Sequence, residues 1–106
     1  CKGKHDQAIS DFTKAIEINQ KHAVAYNNRG AVYAEKGQYD KAISDCTKAI
    51  ELNPRDAFAH YNRGAAYYLN GEHYKSYKDV HKAQRLGYPV PPEILDALRK
   101  AIERQI

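Results

Sequence analysis

Residues 23–56 read AVAYNNRGAVYAEKGQYDKAISDCTKAIELNPRD, and much of the remaining chain repeats them. Gly37 recurs at Gly3 and Gly71, Ala49 at Ala15 and Ala83, and Leu52 at Ile18 and Leu86. In this alignment residues 3–22 match residues 37–56 at 12 of 20 positions, and residues 57–90 match residues 23–56 at 13 of 34. Apolar residues fall at helical spacing on either side of Gly37, so each copy spells two amphipathic helices. A single hairpin of this size must bury its apolar face on the next copy. The pattern therefore predicts an all-α solenoid of antiparallel helix hairpins stacked into a superhelix.

The gross numbers fit that reading. A chain of 106 residues holds one domain and buries roughly 60–70% of the surface its unfolded form exposes. Apolar residues are 42% and charged residues 28% of the total, which excludes a disordered chain. Nine Tyr, two Phe and no Trp mean that tyrosine must supply most of the aromatic bulk. The net charge of +4 is spread without a run of five basic residues. That describes a solvated surface, whereas nucleic-acid binding calls for a basic stripe on one face. No apolar run approaches the roughly 18 residues of a membrane-spanning helix. Cys1 and Cys46 have no metal or disulfide spacing, and Cys46 falls in a helical core pattern, as a small buried apolar residue would. The chain lacks Met and begins partway through a copy, so a fragment or processed form is expected. Cys1 as the mature start of a lipidated lipoprotein is the lesser alternative.

Taken in order, residues 1–22 carry the second helix of a truncated unit, with Ala8, Ile9, Phe12, Ala15, Ile16 and Ile18 at helical spacing over 4–19. Residues 23–56 are the complete unit, with helices over 23–36 and 39–52 divided by Gly37 and closed by Asn53-Pro54. Ala42 and Ala49 are small where the two helices must approach, and Tyr26, Tyr33 and Tyr39 supply bulk on the facing surfaces. Residues 57–90 repeat the hairpin less faithfully, with helices over 57–70 and 73–86. There Ser76 stands for Ala42, Val80 for Cys46 and Pro89 for the terminal proline, shifted by one. Pro91 and Pro92 then suit a helix start, and residues 93–105 form a capping helix within 91–106. Its apolar side carries Ile94, Leu95, Leu98, Ala101 and Ile102.

These residues resemble the tetratricopeptide repeat. The family's aromatic, Gly, Tyr, Gly, Ala, Ala and Pro positions are carried by Tyr26, Gly30, Tyr33, Gly37, Ala42, Ala49 and Pro54. Gly64, Tyr67, Gly71 and Ala83 carry them again in the next unit. Two departures stand out. Arg29 and Arg63 occupy the family's Leu position, where their stems are expected to pack and their guanidinium groups to reach water. Cys46 and Val80 replace an aromatic.

The resemblance implies that the first helices of successive hairpins line a concave groove for a segment of a partner protein. The implied groove residues are Val24, Asn27, Asn28, Ala31, Ala34 and Glu35, followed by Phe58, Tyr61, Asn62, Ala65, Tyr68 and Leu69. Asn28 and Asn62 would hold a partner's backbone; Phe58, Tyr61 and Tyr68 would give contact area of the kind that dominates interfaces. Ala31 and Ala65 leave the floor open. Packing of Tyr61 or Tyr68 on the capping helix is the competing reading. Co-chaperone members grip a terminal carboxylate with Lys, Asn and Arg. Here Asn28 matches the shared Asn, but Phe58 and Asn62 stand where that clamp needs basic residues, so an apolar or aromatic partner segment fits better than an acidic one.

Nothing in the sequence points to catalysis or to a cofactor. His5, His22, His60, His73 and His81 form no pair at i, i+4 and no zinc spacing, and read as surface or boundary residues. A protein or peptide partner is the expected one, with no membrane contact and with nucleic acid as a weak alternative. A second expectation is self-association: the face carrying Ile9, Phe12 and Ile16 lacks its own hairpin partner, and a homodimer or helix-exchanged oligomer would cover it.

Overall fold

Two kinds of residue, glycine and asparagine, close the helices of this chain. In the computed structural model, which describes residues 2–105, the helices are α1 (Lys2–Ile18), α2 (Ala23–Glu35), α3 (Tyr39–Leu52), α4 (Ala57–Leu69), α5 (His73–Arg85) and α6 (Pro92–Gln105). Every expected helix is present, with ends displaced by at most two residues; Cys1 lies outside the described residues. α2 and α4, the first helices of their hairpins, end on Gly37 and Gly71 at φ of 81° and 83°. This left-handed turn costs glycine nothing. It lets Gln38 N–H reach back to Tyr33 O at 2.9 Å and Glu72 N–H to Tyr67 O at 2.8 Å, which satisfies carbonyls the helix end would leave open.

α1 and α3 end on asparagine instead. Asn19 and Asn53 donate their N–H to Ala15 O and Ala49 O at 3.0 and 2.9 Å. Their side-chain oxygens then accept from Lys21 and Arg55 N–H, turning the chain at once into the next hairpin. The following helices are capped at the start: His22 Nδ1 accepts from Ala25 N–H and Asp56 Oδ1 from Ala59 N–H.

Short turns fold α2 on α3 and α4 on α5 as antiparallel hairpins. α3 packs on α4, α1 on α2 and α6 on α5, giving an elongated stack of 43 × 29 × 20 Å. The closest approaches depend on small residues. Ala42, Ala49, Ala59, Ala66, Ser76 and Ala83 are wholly buried. Gly30 lies against Cys46 and Gly64 against Val80, so close that a Cβ on either would stand 2.9 or 2.8 Å from those side chains. The aromatic missing at Cys46 and Val80 is thus accommodated by a tight glycine contact. At the far end Val80, Val90 and Leu98 form a core with Tyr61, Tyr77, Tyr88, Ile94 and Leu95 packed around it.

Three expectations need correction. The guanidinium groups of Arg29 and Arg63 do not reach for water: each chelates an aspartate of its own hairpin. Arg29 Nε and Nη2 donate to Asp45 at 2.7 Å each, and Arg63 does the same to Asp79 at 2.6 and 2.8 Å. The physical reason is that Asp45 and Asp79 sit on α3 and α5 facing the arginines, almost fully buried, and a buried carboxylate requires a cation. His60 is not a surface residue but is buried, with Nε2 on Pro54 O at 3.0 Å. Finally, Ile16 is buried within the chain while Ile9 and Phe12 are half-buried, because α2 packs along α1; the fully exposed apolar residue at this end is Ile18.

Candidate functional site

α6 stacks on α5 without closing down on α4. The gap is a cleft of about 370 Å³. Tyr61, Ala65, Tyr68 and Leu69 of α4 form one wall, Ile94, Ala97 and Leu98 of α6 the other, with Ser76 and Val80 of α5 at the base. Ser76 brings no free polar group to that base, since its hydroxyl donates to Gly64 O at 2.6 Å. The lining is therefore apolar. Leu69 and Tyr68 are about half exposed at one lip, and Phe58 is similarly exposed further along α4.

Tyr88, in the segment leading into α6, backs the cleft wall through Tyr61. Its ring stacks on Tyr61 with centroids 4.4 Å apart and on Phe58 at 6.1 Å. Burial, and then the neighbouring Tyr88, raise the Tyr61 phenol above its ordinary range. Tyr61 is thus both packed against the capping segment and part of the cleft wall. Tyr68 instead tilts against His73 at 5.1 Å and keeps much of its ring in water.

The residues named on α2 divide differently. Val24 and Glu35 are exposed, Asn28, Ala31 and Ala34 half-buried. Asn27 is buried and cannot meet a partner: its Oδ1 accepts from Asn62 Nδ2 at 3.0 Å and lies 3.8 Å from Cys46 Sγ. It is a strut between α2 and α4. Asn62 is half-buried and spends one amide hydrogen on that strut. Glu35 accepts from His5 Nε2 at 2.9 Å, tying α2 to α1. The cleft residues contributed by α5 and α6 were missed from sequence; their signal was the apolar side of the capping helix, read only as a cover.

Among the described residues no group of three His, Cys, Asp or Glu could hold a metal ion, and no helix is long and apolar enough to cross a membrane. Burial pushes the Cys46 thiol up to about 12, with Asp45 adding to the shift, so it is held as an unreactive thiol.

Family models described as tetratricopeptide repeat match residues 23–56 and 46–77, and one described as TPR repeat matches residues 2–37. The first TPR of Spaghetti (RPAP3), solved bound to the HSP90 peptide SRMEEVD, is 30% identical over 98% of this chain and 82% of that one, with a TM-score of 0.85.

The chain belongs to the tetratricopeptide-repeat family.

The Arabidopsis OM64 TPR domain is likewise 30% identical, over 93% of this chain and 84% of that one, at a TM-score of 0.85. The TPR2B domain of yeast Sti1, solved as a complex with pHsp70, is 25% identical over 99% and 87%, at 0.82. No curated protein matches the chain. The family consists of protein-interaction modules, and the helix-hairpin solenoid of this chain is that architecture.

Proposed function

We propose that this tetratricopeptide-repeat module binds a segment of a partner protein in the groove along α2 and α4, anchoring an apolar or aromatic side chain in the cleft between α4 and α6, without chemistry of its own. The single observation that carries this is the cleft: about 370 Å³ of apolar space, open to solvent, within a wall of large side chains. That is room for a Leu, Ile or Phe side chain and its neighbours, and desolvated pockets of this kind hold most of an interface's energy. Along the groove, Asn28 on α2 and Asn62 on α4 are amides able to bond a partner's backbone, Asn62 with the atoms it does not spend on Asn27. Two of the related domains were solved with chaperone partners, one of them the acidic HSP90 peptide SRMEEVD. In this groove Phe58 and Asn62 leave the carboxylate-gripping positions without positive charge, which favours a different peptide class.

The test is a peptide array of segments with a central Leu, Ile or Phe, probed with the chain and with Ala65→Arg, which places a charge in the cleft mouth from an exposed position. Apolar-anchored peptides should bind the parent chain, lose binding roughly 30-fold or more in the variant, and be left undisplaced by SRMEEVD. A groove that prefers SRMEEVD, or is indifferent to Ala65→Arg, would refute the assignment. Self-association through Ile9, Phe12 and Ile16 has less support, since α2 already covers Ile16.

A further inference from the structure

The outer face of α5 differs in kind from the equivalent faces of the two hairpin helices before it. The four outward positions are Gln7, Ser10, Lys14 and Glu17 on α1, then Lys41, Ser44, Lys48 and Glu51 on α3, but Lys75, Lys78, Lys82 and Arg85 on α5. The formal charge along this face thus runs 0, +1, +4. At 3.6 residues per turn the four α5 cations fall within about 80° of arc and span about 15 Å. They lie opposite the helix's buried side of Ser76, Asp79, Val80 and Ala83. Lys75 is paired with Glu72 at 3.1 Å. Among the described residues Lys78, Lys82 and Arg85 have no hydrogen-bond or ion-pair partner, and Lys78 lies over the Tyr74 ring at 5.7 Å.

These three cations surround a second concavity, of about 380 Å³, completed by His60, Asp79 and His81. Its one carboxylate is already spent, both Asp79 oxygens being held by Arg63. Inside, His60 is 7% exposed; its Nδ1 makes no hydrogen bond but lies 3.7 Å from Asp79 Oδ1, so it faces that carboxylate and not the open concavity. His81 stacks on Tyr77 at 5.9 Å with its ring at the surface. A concave site lined by three cations, whose one carboxylate is already engaged by Arg63 and His60, is a site for an anion rather than a merely solvated face. The apolar cleft takes Ser76 and Val80 from α5, whereas this concavity takes Lys78, Lys82 and Arg85, so the two lie on different sides of the α4–α5 hairpin.

We propose that this concavity binds phosphoryl groups, as carried by a small polyphosphorylated molecule in solution or on a lipid headgroup, independently of the partner-protein groove. Three unpaired cations in reach of one cleft match a cluster of phosphate monoesters better than an isolated carboxylate. The compactness of the site favours such a cluster over a nucleic-acid strand, which would track a longer groove.

Titration calorimetry with inositol hexakisphosphate, and co-sedimentation with phosphatidylcholine vesicles with and without phosphatidylinositol bisphosphate, separate the two sources. The variant Lys78→Gln/Arg85→Gln removes two exposed charges from the site. Lys41→Gln/Lys48→Gln removes the same charge from α3 and is the control, and circular dichroism checks that both fold. The α5 variant should lose roughly ten-fold or more of the affinity for whichever probe binds, and the control less than about two-fold. Equal losses in both variants, no binding of either probe by the parent chain, or tighter binding of a charge-matched oligonucleotide would overturn the proposal.

Discussion

Arg63 holds both carboxylate oxygens of Asp79, at 2.6 and 2.8 Å, and with its remaining nitrogen crosses to Thr47 of the preceding hairpin at 3.2 Å. Arg29 repeats the arrangement with Asp45 and Thr13, its crossing bond at 3.1 Å. One arginine therefore fixes its own hairpin and staples it to the last. Replacing Arg63 by the family's Leu leaves Asp79 buried and unpaired, and should cost about 3 kcal/mol in urea unfolding. Arg63→Leu/Asp79→Ala should recover much of that loss, because the orphaned charge is gone. Thr47→Ala, which removes only the crossing bond, should cost about 0.5–1.5 kcal/mol. A single Arg63→Leu as stable as the parent would mean the pair is solvent-compensated.

Gly64 and Gly3 make opposite predictions from one substitution. A methyl on Gly64 meets Val80 Cγ2 at 2.8 Å and the Ser76 carbonyl oxygen at 3.2 Å, and the carbonyl belongs to α5 backbone that cannot move without parting the hairpin. Gly64→Ala should therefore lower stability by about 1–3 kcal/mol. A methyl on Gly3, exposed in the first turn of α1, meets nothing within 4 Å. Gly3→Ala should be neutral or gain up to about 1 kcal/mol from helix propensity. Thermal melts of both variants decide it.

The repeat period made the fold legible because the sterically demanding positions are small residues at fixed spacing: Gly37 and Gly71 at the turns, Ala42, Ala49 and Ala83 at helix contacts. The site was less legible. A period identifies which side of α2 and α4 is equivalent between units, but not how far a neighbour closes over it. Asn27 falls on the groove side by register and is nevertheless buried, because Asn62 reaches across to it. The cleft depends on how far α6 stands from α4, and no local pattern encodes that distance. The arginine staples left a readable trace: Arg29 and Asp45, then Arg63 and Asp79, share one separation of 16 residues. Two buried opposite charges recurring with the repeat are a pairing signal, which the snorkelling interpretation overlooked.

Cys46 should make the chain alkali-sensitive in a way one substitution removes. Its thiol titrates at about 12 when folded against 9.0 ordinarily, chiefly through burial. A raised folded value favours the neutral thiol, so this contribution is fully present below pH 9 and is lost as pH rises through 12. Cys46→Val keeps the packing, since Val80 fills the same place beside Gly64 in the next hairpin. The stability difference between parent and variant should be flat below pH 9 and move against the parent above it. A difference that stays flat to high pH would show that the thiolate forms without cost. At neutral pH the parent thiol should react with a disulfide reagent only as fast as the chain opens.

Leu98 tests whether the capping helix is a separable lid on the cleft. It is 3% exposed in the core with Val80 and Val90, where α6 packs chiefly on α5 and Tyr61 of α4 reaches the same core. Leu98→Ala should cost about 2–4 kcal/mol, concentrated at this end of the stack, as expected where each element contacts only its neighbours. Amide exchange should then accelerate throughout residues 92–105 while α2 and α3 keep their protection. Tyr88→Ala should act in the same direction by removing the ring stacked on Tyr61, whereas Tyr88→Phe, which keeps the ring, should not. If peptide binding depends on the cleft wall that α6 supplies, Leu98→Ala should weaken it along with the loss of exchange protection in α6. Uniformly faster exchange along the whole chain would instead make α6 part of one cooperative unit and rule out a separable lid.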